Sequence, residues 1–409
     1  MADRQPARSL PPDWKSGLPS ELLEAIVKHL PSSDDTAAFR SVCAPWRDVV
    51  PLARFAPRLM ELHLDPESKR VVIYNVVEGR TVNLELPGVR GKMPCGSSCG
   101  WLALVDESAA VTLLNPFTQV SVALPPADEH VARASLSTRV SKAEDGGGQW
   151  LIHGDNSDGN DAPPTTVKLH EMRAVFFHEV VLSGPPDAQR GQCVAMAVLP
   201  CSTEVAYCCV GVDNAWKLAD TNLECSVSAI VFCQGRFVAI DYVGNISIFS
   251  SIVSGVAPTA TPMPSLSPPA EVHRRSYLEL DAELHLVGAL VNVSDDTQHY
   301  AYGVVVYRCN ILEQMPEWYR VHDAGDRTLL LSPQFSSSCF GWPSMSEYKS
   351  NTVYYSEPLY RDKEDVHHRL EIVNISDGTS VLSEAFGVKK MQGSDAMFWI
   401  RPRSYVVHK

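Results

Sequence analysis

Apolar positions recur every three or four residues between residues 18 and 50, and from about residue 70 onward they recur every second residue. The chain therefore divides into a short helical part and a long β part. In the first, Leu22, Leu23, Ile26, Val27 and Leu30 form one stripe, with Glu21, Glu24 and Lys28 off it. Ser20 is placed to cap this helix, Leu18 and Pro19 fix the chain's approach, and Pro31 ends it. The run Ser32–Asp35 offers fresh caps, and Phe39, Val42, Cys43, Trp46, Val49 and Val50 continue at spacings of three and four. Pro45 cannot sit deep in a helix, which puts a break near residues 41–44 and Pro45 in the first turn of a third helix. Three helices this short cannot bury every apolar residue they carry, so part of the stripe is expected to await a partner.

Residues 53–69 are read as a linker, with a further short helix over 53–64. Beyond it, "RVVIYNVVEGRTVNLELPG" gives two strands around Glu78-Gly79, and "WLALVDESAAVTLLNPFTQVSVALP" gives three more. Further pairs extend to "LEIVNISDG". Short strands with turns every 8 to 12 residues indicate antiparallel meanders, hence a sandwich, barrel or propeller. The length of this part favours radial repetition at roughly 40 to 50 residues per unit, with the number of blades open. The expected fold is α+β and multidomain: residues 1–15 disordered, a three-helix unit over 16–52, and a mostly antiparallel, propeller-like all-β domain over 70–409. Residues 144–164 and 258–269, dense in Gly, Asp, Asn and Pro, are expected to be exposed loops.

Composition narrows the partners. Of 409 residues 45% are hydrophobic and 20% charged, as in a folded chain, and the formal charge of -13 repels phosphate backbones, so nucleic acid is not an expected partner. No run approaches the roughly 20 apolar residues that span a bilayer, and the polar, Pro-rich start lacks a signal-peptide core. This points away from membranes, to an intracellular protein of cytoplasm or nucleus. The 11 cysteines are an odd number without regular spacing and are expected to be mostly buried, reduced thiols.

Candidate chemistry is sparse. Cys95 and Cys99 are four apart, Cys208 and Cys209 are adjacent, as are His367 and His368, and "HEVVL" at His178 lacks the second histidine of a zinc motif. "GVRGKMPCGSSCG" has glycines but not the order of a phosphate loop, and it leads into a strand. No metal, cofactor or catalytic group is expected. Gly100-Trp101 and Asn115-Pro116 read as structural turns, Trp101, Trp216 and Trp318 as aromatics packed between blades, and residues 360–369 as a solvated charged loop.

"LPSELLEAIVKHLPSSDDTAAFRSVCAPWRDVV" resembles an F-box: the Leu-Pro start, Leu22, Ile26, Leu30, the acidic break, then Phe39, Val42, Cys43 and Trp46-Arg47 in order. Pro45 stands where a basic or polar residue is commonest. "GSSCGWLALVDESAAVTLLNPFTQVSVALP", "DNAWKLAD", "FCQGRFVAIDYVGNISIF", "EWYRVHDAGDRTLLLS" and "NTVYYSE" are similar to the plant F-box proteins whose C-terminal half is domain of unknown function 295, described as β-propeller-like. The resemblance implies a substrate receptor of an SCF-type ubiquitin ligase. Leu18, Pro19, Leu22, Ile26, Leu30, Val42 and Trp46 would dock on an SKP-like adaptor, and through it on cullin and RING subunits. The β-domain would bind a target protein, and the chain would catalyse nothing itself, acting by positioning. Trp46 is equally readable as a core anchor. Two other functions stay open at this point: an F-box scaffold outside the ligase, and a propeller enzyme acting on glycans.

Overall fold

The computed structural model describes residues 18–30, 33–50, 55–62, 69–135, 139–143, 149–153, 163–186, 192–250, 252, 257–269, 272, 274–292, 300–332, 334–343, 348–362, 365–383, 386, 388–391 and 396–402. The expected disorder of residues 1–15 lies outside them. Two compact units are present, one ending at Ala56 and the other running from Pro57 to Arg401.

The first unit holds helices α1 (Ser20–Val27), α2 (Ser33–Ser41) and α3 (Ala44–Val49). Ser20 is not the cap of α1 but its first helical residue. Pro19 caps it, because its extended backbone turns its carbonyl onto the Leu22 and Leu23 N–H groups at 3.1 and 3.2 Å. Cys43, fully extended, precedes α3, and Pro45 sits in the first turn, where a missing N–H breaks no helical bond. Leu23, Phe39 and Val50 are buried, with Leu18, Val27, Leu30, Trp46, Val49 and Phe55 packed around them. The single stripe read along α1 is thus two faces: Leu23, Val27 and Leu30 turn inward, while Leu22 is 54% and Ile26 38% exposed.

The second unit starts with a strand, Arg58–Leu62, inside the residues expected to be a linker. This strand is hydrogen-bonded on both sides, to Arg70–Asn75 and to the C-terminal strand Ala396–Ile400, with Leu59 opposite Trp399. Its sequence shows no clean alternation because residues on both its faces are buried. Arg80–Glu85 completes that sheet. Among the described residues four further four-stranded sheets repeat the pattern, opening on the inner strands Lys92–Ser98, Glu179–Leu182, Val227–Cys233 and Arg274–Leu280, while the sheet whose inner strand is Phe340–Pro343 departs from it, with six strands and Arg327–Leu331 paired in parallel with Thr352–Asp362. The inner strands touch in sequence around an axis, and Arg327–Leu331 of the last sheet meets Ala396–Ile400. The ends of the unit therefore close a propeller-like ring by hydrogen bonding within one sheet, which removes two exposed edges.

A seventh, three-stranded sheet (Arg139–Lys142, Trp150–His153, Thr165–Thr166) lies off the ring of inner strands. Its Trp150 is fully buried against Phe176. Residues 150–153, expected to be part of an exposed loop, are thus a strand, and residues 144–148 and 154–162 of that Gly/Asp-rich stretch lie outside the described residues. The second expected loop is corrected too. Ala260–Pro262 is an outer strand, and Pro264–Leu266 a 3₁₀ turn with Leu266 fully buried, because one apolar side chain suffices to anchor a proline-rich connection. Residues 360–362 and 365–369 of the charged run belong to an antiparallel ribbon, Thr352–Asp362 with Asp365–Asn374, whose backbone pairing is indifferent to side-chain charge, and residues 363–364 lie outside the described residues. Met172–Val175 forms one helical turn.

Trp216 donates its indole N–H to the Pro125 carbonyl at 2.6 Å and Trp318 to that of Leu266 at 3.0 Å, each reaching the neighbouring sheet. Trp101 is buried in a core shared by its own sheet and the sheets that follow it. Asn115 accepts from the Phe117 and Thr118 N–H groups at 3.0 and 3.1 Å, so it builds a turn.

Seven of the 11 cysteines are buried. Burial pushes the Cys95 and Cys339 thiols up to about 12, and Cys208 upward as well. Cys201 is exposed. A maleimide is expected to label Cys201 in the native protein within minutes, and Cys95, Cys208 and Cys339 only on unfolding, read by mass spectrometry of the peptides.

Candidate functional site

On the helical unit, Pro19, Leu22, Ile26 and Val42 are exposed, with Val42 at 58%. Leu18, Leu30 and Trp46 are half-buried, and Trp46 lies against Phe39 with ring centroids 4.4 Å apart. Trp46 thus both anchors the small core and shows part of its ring outside. The seven residues expected at a docking surface therefore divide into four outward apolar groups and three that brace them. Leu22, Ile26 and Val42 are the large apolar side chains that the described part of this unit leaves exposed.

The second candidate site is the axis of the β ring. A 3₁₀ turn, Ser336–Ser338, touches five inner strands and plugs the channel. Its anchor is Glu179, 2% exposed, whose two carboxyl oxygens accept from the Ser336 hydroxyl at 2.6 Å and the Ser337 N–H at 2.5 Å. The Ser337 hydroxyl in turn accepts from the Ser97 N–H at 3.2 Å. Burial drives the Glu179 carboxyl above the ordinary carboxylate range, against the lowering effect of these donors and of Arg173. Arg173 lies 4.3 Å over the Phe335 ring. Next to the plug, Gly96 has φ +136°, and a Cβ there would stand 2.5 Å from the Val180 carbonyl oxygen, so the strands meet only because residue 96 has no side chain.

The plug separates two cavities. One, about 180 Å³, opens where the inner strands end and includes Ser98, Cys99, Glu279 and Arg401. The other, about 280 Å³, opens where they begin and includes Ser228, Asp241, Tyr242, Arg275, Tyr277 and Gln334. Neither holds any residue singled out beforehand as chemically active except Cys99, which faces the smaller one. His178, in the fragment that lacked a second histidine, is mostly buried, and burial beside Arg173 lowers its imidazole to about 4, which keeps it neutral. Its neighbour Glu179 carries the structural role instead. Among the described residues no group of three His, Cys, Asp or Glu side chains is placed to hold a metal, and no helix is long and apolar enough to cross a membrane. The run "FSSSCF" at 335–340 was the available signal for the plug, since three serines between two aromatic anchors suit neither strand nor solvated loop.

Known proteins resemble the chain over both parts. The F-box domain profile matches residues 16–55, and the KIB1-4 beta-propeller profile matches residues 73–379. The Arabidopsis thaliana F-box protein SKIP23 is 30% identical over 86% of this chain and 86% of its own. The Arabidopsis thaliana F-box protein At5g55150 is 26% identical over 84% of each chain. A third protein of that plant, the F-box protein At2g16300, is 59% identical over 39 residues, which make up 10% of this chain and 12% of its own. An N-terminal helical unit with exposed leucine, isoleucine and valine, joined to a plugged ring of antiparallel sheets, thus belongs to the F-box proteins with a KIB1-4 beta-propeller.

Proposed function

We propose that this chain is the substrate-recognition subunit of an SCF-type E3 ubiquitin ligase. The observation that carries the reading is the exposed apolar face of Pro19, Leu22, Ile26 and Val42 within the stretch that matches the F-box domain. That face, braced by Leu18, Leu30 and Trp46, docks on an SKP-like adaptor, which brings cullin and RING subunits. The β ring holds the target protein. No bond is made or broken by this chain: it raises the local concentration of the target beside the conjugating enzyme, inside the cell, in cytoplasm or nucleus.

The test is affinity purification of the full chain, of a chain lacking residues 1–50, and of Leu22→Asp with Ile26→Asp, under proteasome inhibition. Both substituted side chains already face water, so the double variant is expected to keep its melting temperature while adaptor and cullin capture falls at least about tenfold. The target is expected to remain with the truncated chain. Adaptor capture that survives the double variant sinks the proposed docking face. Adaptor bound without cullin instead favours a scaffold outside the ligase.

A further inference from the structure

The outer strands of the β ring are shielded against pairing with other chains, except in the first sheet. Lys217–Asp220 has four residues, and Ala260–Pro262, Tyr319–Val321 and Ser380–Leu382 have three each. Ser121–Pro126 is longer, but it ends in Pro125 and Pro126 and its register is irregular. Short length, proline and bulges are the devices that blunt an open sheet edge. Arg80–Glu85 of the first sheet has six residues, no proline and an unbroken register against Arg70–Asn75. Among the described residues it pairs with that strand alone.

Its backbone fixes what can pair with it. Leu86 donates its N–H to the Lys69 carbonyl at 2.8 Å, and such bonds recur at every second residue. Val82 and Leu84 therefore turn their backbone groups toward Arg70–Asn75, while Thr81, Asn83 and Glu85 turn theirs outward. The side chains of Val82 and Leu84 share the face of their register partners Ile73 and Val71, and so carry that apolar row on to the margin of the sheet. There Val82 is 52% exposed, and half-buried Leu84 lines a hollow of about 430 Å³ with Lys69, Arg70, Asn83 and Glu85.

The strand is complementary to itself. In an antiparallel pair of two copies, outward residues must face outward residues. A two-fold axis at Asn83 meets this with Thr81 opposite Glu85, Asn83 opposite Asn83 and, in the close non-hydrogen-bonded pairs, Val82 opposite Leu84. No like charges are opposed. Moving the axis to Val82 sets Arg80 against Leu84, and moving it to Leu84 sets Thr81 against Pro87, which has no N–H to donate. The formal charge of -13 on each copy repels at long range and is screened at physiological salt.

We propose that a second copy of this chain pairs along Arg80–Glu85, joining two sheets edge to edge about an axis at Asn83, with Val82 of each copy against Leu84 of the other. The pairing needs neither adaptor nor target. Its consequence rests on the receptor reading: two joined rings hold by avidity a target that carries two recognised segments.

Full-length protein at physiological salt is followed by sedimentation velocity over a dilution series. Two short strands make a small interface, so the dimer is expected to form with a Kd of about 10 to 100 μM. Val82→Lys changes an exposed side chain and is expected to keep the wild-type melting temperature while weakening the dimer at least about tenfold. Asn83→Pro removes an outward N–H, where an edge strand tolerates proline, and is expected to weaken it likewise. Deuterium uptake by the peptide spanning residues 80–86 is expected to slow as concentration rises through the Kd, in wild type alone. A wild-type chain that stays monomeric at several times that concentration, with uptake at 80–86 unchanged, overturns the proposal and leaves the edge to a strand of another protein. So does a dimer that both variants form as readily as wild type, because another surface then holds it. Adaptor capture is expected to be equal in all three proteins, so failure of the pairing and failure of the ligase reading give different results.

Discussion

Replacing Trp399 by alanine is expected to lower the stability of the β ring by about 3 to 5 kcal/mol, read as a drop in the urea midpoint. Trp399 is fully buried on the strand Ala396–Ile400, opposite Leu59, where the two ends of the ring join. Its indole donates to the Leu331 carbonyl at 3.1 Å, and its ring meets Tyr348 and Tyr354 edge-on at centroid distances of 6.1 and 6.5 Å. Alanine leaves a large cavity and a buried carbonyl without its donor, at the one seam where closure depends on residues far apart in the chain. Trp399→Phe, which keeps a six-membered ring but loses the donor and the rest of the indole, is expected to cost about 1 to 3 kcal/mol. An unchanged midpoint for Trp399→Ala refutes the role of this seam.

Glu179→Ala is the second large effect. It strips the Ser336 hydroxyl and the Ser337 N–H of their acceptor at the axis of the ring, at an expected cost of about 2 to 4 kcal/mol. The pH dependence has a definite sign. Because burial raises the carboxyl in the folded state above its ordinary 4.5, the folded protein binds the proton more tightly than the unfolded chain. Stability from this group is therefore full below about pH 4.5 and declines as pH rises through the raised folded value. Glu179→Gln, which cannot ionise, is expected to remove that decline while keeping one acceptor for the plug. Thermal melts of both proteins at a series of pH values from 4.5 upward check it, and parallel profiles disprove it.

The two parts of the chain were unequally readable. The change of period from 3.6 to 2 separates helical from β sequence because each element must bury one face, and face burial leaves its mark at short range. That reasoning fails where both faces are buried. Arg58–Leu62 shows no alternation, so its strand was invisible, and with it the start of the β unit. It also fails where one residue anchors a polar stretch, as Trp150 and Leu266 do. In the helical unit the apolar spacing located the helices but joined Leu22 and Ile26 to Leu23 and Leu30 as one stripe. Only packing against Phe39 and Val50 separates the inward from the outward set. The plug and its cavity were beyond the sequence altogether, since Glu179, Tyr277 and Ser336 lie on three different strands or turns and meet only at the axis.

The sequence by itself determined the division into two parts and the family to which they belong. These follow from local spacing and from motifs contained in single stretches. Tertiary structure decided which apolar side chains face out, that the ring is sealed by pairing Arg58–Leu62 with Ala396–Ile400, and that a serine turn held by Glu179 fills its axis. Each of those depends on residues distant in sequence becoming neighbours, and no period along the chain records where a closed ring brings its ends together.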